Sequence, residues 1–340
     1  MLRVVQFFLG LTRPMQDADG MACFTVRTAA GRIALNEILR NIRRTILLVD
    51  LDGSFWDPVR WPRTPLVLCQ IPRLFSRLGR SRLFMMAYLT GRASEQLRSF
   101  GMLVRGVVAW CQFGAERWQA GRQVDLVPVP PGLATAISAL DGTTYSVERK
   151  THAVAVHWTA ADDDVAVGQL LARQQSLAEE HRLAYHPGNL VVELSPLGMS
   201  KKVSAACFAR QFLPAEVIEG FVRGFDPVEQ EVYEQIWASL EASGSELVPS
   251  LQSPYFIFVG DSAPDLGVFL LFDYLRGLGI PVLKVAVKGH KPLEDLADIV
   301  VDGPAGALQF VRELELHTAP WWLRFLRRSL GHAAVDSVPA

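Results

Sequence analysis

Two carboxylates spaced i, i+2 close an apolar run, Ile46-Leu47-Leu48-Val49-Asp50-Leu51-Asp52-Gly53-Ser54. In an extended segment this spacing turns both acids to one side. Four consecutive apolar residues predict a buried strand of a parallel sheet, and such sheets bind ligands beyond the carboxyl ends of their strands. Asp50 and Asp52 would then stand at the mouth of a site, where Gly53 permits a sharp turn and close approach by a ligand. The same residues also describe an ordinary strand end whose acids are solvated.

Three further clusters bear on that choice. The strand expected over Leu83 to Leu89 ends in Thr90-Gly91-Arg92, a hydroxyl and a guanidinium that suit an anion, phosphate above all. Lys201 precedes a helix expected from about Val203 and would set a point charge at its start. The strand Tyr255 to Val259 runs into Gly260-Asp261-Ser262-Ala263-Pro264-Asp265. With Asp50 and Asp52, Asp261 and Asp265 make an all-oxygen set suited to octahedral Mg²⁺. Taken singly, each cluster has a structural reading: Arg92 satisfying a loop, Lys201 and Lys202 on a solvated helix start, an acidic strand end.

The elements that must position these residues alternate between strand and helix, which predicts an α/β fold: a Rossmann-like, doubly wound parallel sheet with an inserted α+β cap domain. Residues 1–42 read as an N-terminal leader with a helical stripe at Ala34, Leu35, Ile38, Leu39 and Ile42. Residues 43–125 form the first part of the core. Residues 126–192 break the rhythm with a helix, two strands, a longer helix and two more strands, the pattern expected of the cap. Residues 193–318 complete the core, with a helical insertion at about 205–250. Within it, two amphipathic helices at 214–243 carry apolar stripes that suit core packing or a protein partner. The loop Phe55 to Pro62 could wall the site or simply pack. The tail 319–340 holds Trp321-Trp322-Leu323-Arg324-Phe325-Leu326-Arg327-Arg328, which suits either packing on the core or peripheral contact with an anionic membrane.

Composition narrows the classes. The chain has 340 residues, half of them apolar, enough for about two domains. Its 34 basic and 35 acidic residues give no reason to expect a nucleic-acid partner. The four cysteines are scattered without a C-x-x-C pair, as in a cytoplasmic protein with reduced thiols. The apolar run from Met1 to Leu11 is short, broken by Gln6 and lacks a clear cleavage pattern, and no stretch is long enough to span a bilayer.

In order along the chain, Asp50-Leu51-Asp52-Gly53-Ser54, Thr90-Gly91-Arg92, Lys201 and Gly260-Asp261-Ser262-Ala263-Pro264-Asp265 resemble the four motifs of the haloacid dehalogenase superfamily of phosphohydrolases. Within it the chain resembles the trehalose-6-phosphate phosphatase family. The carrying residues are Gly114-Ala115-Glu116, Glu148-Arg149-Lys150, Val154-Ala155-Val156-His157-Trp158 and Glu193-Leu194-Ser195-Pro196-Leu197-Gly198-Met199-Ser200-Lys201. The resemblance spans about residues 44–316, less the insertion. It departs from the family at Ser195 and Thr159, where arginine is usual, at Ser200 and Lys202, and at Ser262, Pro264 and Leu266 in the last motif.

The resemblance implies that Asp50 attacks phosphorus to form an aspartyl-phosphate, and that Asp52 protonates the leaving sugar oxygen and then activates water. Thr90 and Lys201 would hold the phosphoryl oxygens. Mg²⁺ would be held by Asp50, the Asp52 carbonyl and Asp261, with Asp265 orienting Lys201 or the metal shell. It implies Arg92 near the junction with the cap, and Glu116, Glu148 and Lys150 on the sugar hydroxyls. From the residues alone, Glu148 and Lys150 also read as a cross-strand ion pair on a solvated hairpin, and His157 as a packed core residue. The expected activity is Mg²⁺-dependent hydrolysis of a sugar phosphate, with trehalose 6-phosphate leading. The alternatives are another sugar or glycosyl-glycerate phosphate, a phosphomutase, and a non-catalytic sugar-phosphate sensor or scaffold.

Overall fold

The protein is described by a computed structural model covering residues 15–16, 22–56, 70–81, 83, 85–159, 161–188, 190–244 and 254–318. The apolar opening, the loop from residue 57 onward, the end of the insertion and the Trp-Arg tail lie outside these residues. After β1 (Met15–Gln16) and β2 (Ala22–Val26), α1 (Ala29–Arg40) leads into β3 (Thr45–Val49). Then come α2 (Ile71–Gly79), β4 (Met85–Leu89), α3 (Ser94–Ser99), β5 (Val107–Cys111), β6 (Glu116–Gln119) and β7 (Arg122–Asp125). A second group follows: α4 (Leu133–Ser138), β8 (Ser146–Arg149), β9 (Val154–His157), α5 (Asp164–His181), β10 (Leu183–Gly188) and β11 (Val191–Pro196). Helices α6 (Lys201–Arg210), α7 (Ala215–Val222) and α8 (Pro227–Ala242) precede β12 (Tyr255–Gly260) and α9 (Leu266–Gly277). The described chain closes with β13 (Val282–Val287), α10 (Lys291–Leu296), β14 (Ile299–Val301) and α11 (Gly303–Thr318).

The main sheet has ten strands in the order β1-β2-β14-β13-β12-β3-β4-β5-β6-β7. Its six inner strands, β14 to β5, pair in parallel, and antiparallel pairs close both flanks. Strand pleating explains how it is covered. On β3, Leu47 and Val49 join the cluster that includes α1, α2 and α11, while Ile46 and Leu48 join the cluster that includes α6, α8 and α9. On β12, Ile257 and Val259 likewise face the first cluster, and Phe256 and Phe258 the second. A sheet so covered on both faces is doubly wound, as the apolar runs predicted.

From β3 the chain proceeds outward through β4 and β5, whereas from β12 it proceeds the other way through β13 and β14. The junction of β3 and β12 is therefore the switch point, where crossovers part and leave a crevice beyond the carboxyl ends. A separate four-stranded antiparallel sheet, β10-β11-β9-β8, packs α4 and α5 around its own cluster of Leu133, Leu140, Val154, Val156, Leu170 and Leu194.

Two regions differ from the sequence expectation, and in a third the structure takes one of the two readings left open. Part of the stretch read as a leader is built into the main fold: β2 pairs with β14, and α1 buries Ala34, Leu35 and Ile38. Its N-cap Thr28 accepts from Gly31 N at 2.8 Å and donates to the buried Asp298 at 3.0 Å. Beyond β5 the chain forms the β6–β7 hairpin, turning at Ala120 and Gly121, both with positive φ. That is the backbone of a tight two-residue turn, written here without its usual Asn or Asp signal. The stripes on α7 and α8 are core rather than free surface: Ile218, Val232, Ile236 and Leu240 are buried, and Tyr274 Oη on α9 donates to Val217 O at 2.9 Å. Asp226 caps α8, accepting from Val228 N and Glu229 N at 2.9 Å each.

Asp298 also accepts from Lys284 N at 2.9 Å and pairs with Arg276, so one buried carboxylate ties α1, α9 and β13 together. Asp298→Ala strands several of these donors and is expected to destabilise the fold by about 2–4 kcal/mol in urea unfolding. A change below ~0.5 kcal/mol would show that solvent replaces these bonds.

Candidate functional site

The crevice at the β3–β12 junction collects most of the residues that the sequence nominated. Asp50 follows β3 and is buried, its N–H donating to Val259 O at 2.8 Å, so the neighbouring strand fixes its backbone. Lys201, the first residue of α6, puts its Nζ 2.7 Å from Asp50 Oδ1 and 2.7 Å from Asp265 Oδ1. The helix start is held by Ser200, whose side chain accepts from Val203 N at 3.2 Å. The other oxygen of Asp265 accepts from Asp261 N at 3.0 Å and Ser262 N at 3.1 Å, which shapes the loop after β12. Asp265 thus orients both Lys201 and Asp261.

Asp50, Asp261 and Asp265 offer oxygens that lie within 4.8 Å of one another. Ser54 Oγ bridges two of the acids, at 3.0 Å from Asp261 Oδ1 and 3.4 Å from Asp50 Oδ2. Gly53 adopts φ +76°, and a Cβ there would lie 2.0 Å from Asp261 Oδ2. Only glycine lets the turn press against this carboxylate. Burial pushes the Asp50 carboxyl well up; Lys201 pulls it back, and Asp265 and Asp261 push it further. Burial and then Asp265 push Asp261 up as well. Burial would lower Lys201, but Asp265 and Asp50 override it and raise the ammonium above its ordinary range. Three converging carboxylates against one ammonium leave a site that favours another cation, and their hard oxygens fit Mg²⁺.

Asp52 lies apart from that cluster. Arg92 grips both of its oxygens, with Nε at 2.8 Å from Oδ2 and an Nη at 2.6 Å from Oδ1, while Trp56 Nε1 donates to Oδ1 at 2.8 Å. Thr90 is fully buried at the end of β4, its N–H bound to Trp110 O at 3.0 Å and its Oγ1 accepting from Arg92 N at 3.1 Å.

The smaller sheet reaches this crevice through charged side chains. Lys150 Nζ donates to Gly91 O at 3.0 Å and to Glu193 Oε2 at 2.6 Å, and lies 3.7 Å from Glu148. Its side chain is only 6% exposed, which rules out the solvated ion pair. Glu148 accepts from Gln96 Nε2 at 2.7 Å and bonds His157 Nε2 at 2.9 Å. His157 itself is 41% exposed rather than packed in a core. Glu116 is held elsewhere: its oxygens accept from Ser94 N at 2.5 Å and Gln123 Nε2 at 2.7 Å, so it closes the start of α3.

Sequence reasoning did not single out Ser54, Glu193 or His186 for the site, and it named Trp56 only within the loop that could wall it. Ser54 and Glu193 lie inside the quoted motifs, the only signal that could have marked them. The Oε1 of Glu193 is buried with no hydrogen-bond partner among the described residues, an open acceptor beside Lys150. His186 Nε2 sits 3.0 Å from Ser195 Oγ, and its ring is 5.7 Å from that of Phe113. Burial pushes this imidazole down against the pull of Glu193, and the charge of Lys150 adds to the downward push.

Burial pushes Glu148 up, but the His157 hydrogen bond and the charges of Lys150, His157 and Arg92 outweigh it and hold the carboxyl at about 2, against an ordinary 4.5. A depressed carboxyl stabilises the fold above its ordinary value and loses that contribution as pH falls toward the folded value. The melting-temperature gap between the wild type and Glu148→Gln is therefore expected to be widest above pH 4.5 and to close toward pH 2. A gap that stays constant through that window contradicts the assignment.

No family model matches the chain. Among solved structures, the C-terminal domain of Candida albicans trehalose-6-phosphate phosphatase aligns with a TM-score of 0.59 at 16% identity, covering 87% of this chain and 99% of that one. A trehalose-6-phosphate phosphatase related protein aligns with a TM-score of 0.54 at 17% identity, covering 80% and 97%. The C-terminal domain of the Candida albicans trehalose synthase regulatory protein gives 0.55 at 12% identity, covering 83% and 97%. What is common at these identities is the fold: the chain has the Rossmann-like α/β architecture of its trehalose-6-phosphate phosphatase neighbours.

Proposed function

We propose that the protein is a Mg²⁺-dependent phosphatase of a sugar phosphate, with trehalose 6-phosphate the leading substrate. The carrying observation is Lys201 held at 2.7 Å from both Asp50 and Asp265, beside Asp261 at the switch point of the sheet. Asp50 is the nucleophile: its carboxylate attacks phosphorus in line and the bond to the sugar oxygen breaks. Lys201 and Thr90 donate to the phosphoryl oxygens, where charge shifts during transfer. Asp50, Asp261 and the Asp52 carbonyl would hold Mg²⁺, with Asp265 ordering the loop around them. The ion, when bound, supplies positive charge that offsets the crowded carboxylates and the incoming phosphate.

Asp52 gives its proton to the departing alkoxide and later takes one from the water that cleaves the aspartyl-phosphate. Its oxygens are occupied by Arg92, so the reading requires the guanidinium to transfer to the substrate, leaving Trp56 to hold Asp52 in place. The smaller sheet acts as the cap, with Glu148, Lys150 and the open Oε1 of Glu193 meeting sugar hydroxyls while water is excluded. Glu116 supports this rim through α3. The buried, unpaired thiols of Cys111 and Cys207 support a cytoplasmic location.

One observation favours a second reading, a sugar-phosphate binder without turnover: a domain of a protein named as regulatory has the same fold. The departures at Ser195, Ser200 and Ser262 point the same way. Inorganic phosphate release separates the two readings. With Mg²⁺, trehalose 6-phosphate is expected to turn over faster than sucrose 6-phosphate, glucose 6-phosphate or a glycosyl-glycerate phosphate, and chelation should abolish turnover. Asp50→Asn should lower kcat by roughly 10⁴-fold or more. Asp52→Asn should lower it by about 10²–10⁴-fold on sugar phosphates and much less on p-nitrophenyl phosphate, whose leaving group needs no proton. Turnover of another substrate on the panel would keep the mechanism and change the sugar; retained binding with no turnover would establish the regulatory reading.

A further inference from the structure

The smaller sheet has one face that its helices leave open. Val147, Val154, Val156, Leu183, Val192 and Leu194 share a cluster with α4 and α5, so the alternate residues of each strand point the other way. Register places four of those in one row across the sheet: His186 on β10 opposite Glu193 on β11, Glu193 opposite Ala155 on β9, and Ala155 opposite Glu148 on β8. Paired residues on one face lie within reach of each other. Ala155 contributes only a methyl group, so the row has a low floor between polar ends. Lys150 fills that floor, bound to Glu193 at 2.6 Å and 3.7 Å from Glu148.

The row faces the crevice, because the core meets it at three points. Gln96 on α3 donates to Glu148, Gly91 O accepts from Lys150, and the Phe113 ring stands 5.7 Å from that of His186. Phe113 is itself seated on the loop after β4: its N–H donates to Thr90 O, and a Cβ on Gly91 would lie 2.8 Å from its ring. The first two contacts are polar bonds already made, whereas the third is ring to ring and engages no polar atom of the imidazole. Nε2 of His186 is turned onto the sheet, 3.0 Å from Oγ of the buried Ser195. Among the described residues Nδ1 has no hydrogen-bond partner, and neither has the buried Oε1 of its cross-strand neighbour Glu193. A buried acceptor without a bond is costly, and a ligand hydroxyl would satisfy it.

We propose that His186 is a specificity-determining residue that binds a sugar hydroxyl through Nδ1, while Glu193 Oε1 accepts from the same hydroxyl or its neighbour. The inference rests on the phosphatase reading for its substrate and adds to that reading a residue outside every motif the sequence offered. The bond to Ser195 sets the tilt of the imidazole and Phe113 packs against it, so Nδ1 is aimed before the substrate arrives. An ionised carboxylate takes only hydrogen-bond donors, so the pair rewards a polyhydroxyl leaving group and gives nothing to an aryl one.

The test is the ratio of kcat/KM for trehalose 6-phosphate, or whichever sugar phosphate of the panel turns over fastest, to kcat/KM for p-nitrophenyl phosphate. A ratio cancels any loss of folded protein. His186→Ala is expected to lower it about tenfold, the worth of one hydrogen bond. Two further variants separate a substrate contact from a structural one. His186→Asn keeps a polar atom near the position of Nδ1 and should hold the ratio to within about threefold of wild type. His186→Gln keeps one near Nε2, and with it the bond to Ser195, and should lose the ratio as alanine does. A ratio within about twofold of wild type in His186→Ala, or retention by glutamine with loss by asparagine, would overturn the proposal. Should the wild type hydrolyse no sugar phosphate, the phosphatase reading fails by itself, and calorimetric binding of trehalose 6-phosphate judges His186. Binding about tenfold weaker in His186→Ala supports the contact, and equal or absent binding overturns it.

Discussion

The buried triad of Lys201 with Asp50 and Asp265 is the constraint on which the site depends. Each partner comes from a different part of the chain: the end of β3, the first residue of α6 and the turn after β12. Burying two carboxylates and an ammonium is costly unless their geometry and further hydrogen bonds compensate. Here the parallel pairing of β3 with β12 sets the separation of the two acids, and the cap at Ser200 sets the pitch at which α6 presents its lysine. Sheet register, helix start and loop shape are thereby joined in one electrostatic problem. The acids alone would repel; with the lysine they form a stiff base that still favours a further positive charge.

The two sheets communicate through a similar device at larger scale. Lys150 leaves the smaller sheet and reaches Gly91 O in the loop that carries Thr90 and Arg92, while Glu193 and Glu148 surround its ammonium. Next to it, Gln112 and Phe113 hold positive φ in succession, with Phe113 N bonded to Thr90 O and Gln112 Oε1 accepting from His152 N. Strained backbone of this kind persists only where its surroundings determine it fully. Arg92 to Asp52 on one side, and Gly91 to Lys150 on the other, make this loop the common wall of both halves of the crevice.

Much of this was legible in the sequence because apolar strands announce themselves and the residues at their ends follow by position. Asp50, Thr90 and Asp261 were read in that way and Lys201 from the helix start expected near Val203, and the helix-strand-strand pattern repeated at 126–192 is the pattern the chain adopts. The hairpin β6–β7 was hidden, since Glu-Arg-Trp-Gln and Arg-Gln-Val-Asp carry little apolar alternation and the Ala120-Gly121 turn lacks the common signature. The role of β2 was hidden for another reason: a five-residue strand near the start gains meaning only from β14, some 270 positions later. Side-chain partners were the least legible. Nothing in the order of residues says that Glu116 closes α3 through Ser94 N, or that Trp56 turns back onto Asp52, because both depend on distances that exist only after folding.

The antiparallel pairs that flank the main sheet have a consequence for self-association. A parallel sheet ending on β5 would offer a regular, apolar row of unpaired amides to any other extended chain. Instead the sheet ends on the short β7, whose Arg122, Gln123 and Asp125 are exposed. Charges on a brief edge strand make each further strand addition desolvate an ion, which discourages edge-to-edge growth. The hairpin thus acts as a terminator of the β-structure, keeping a sheet with so apolar an interior from templating its own aggregation.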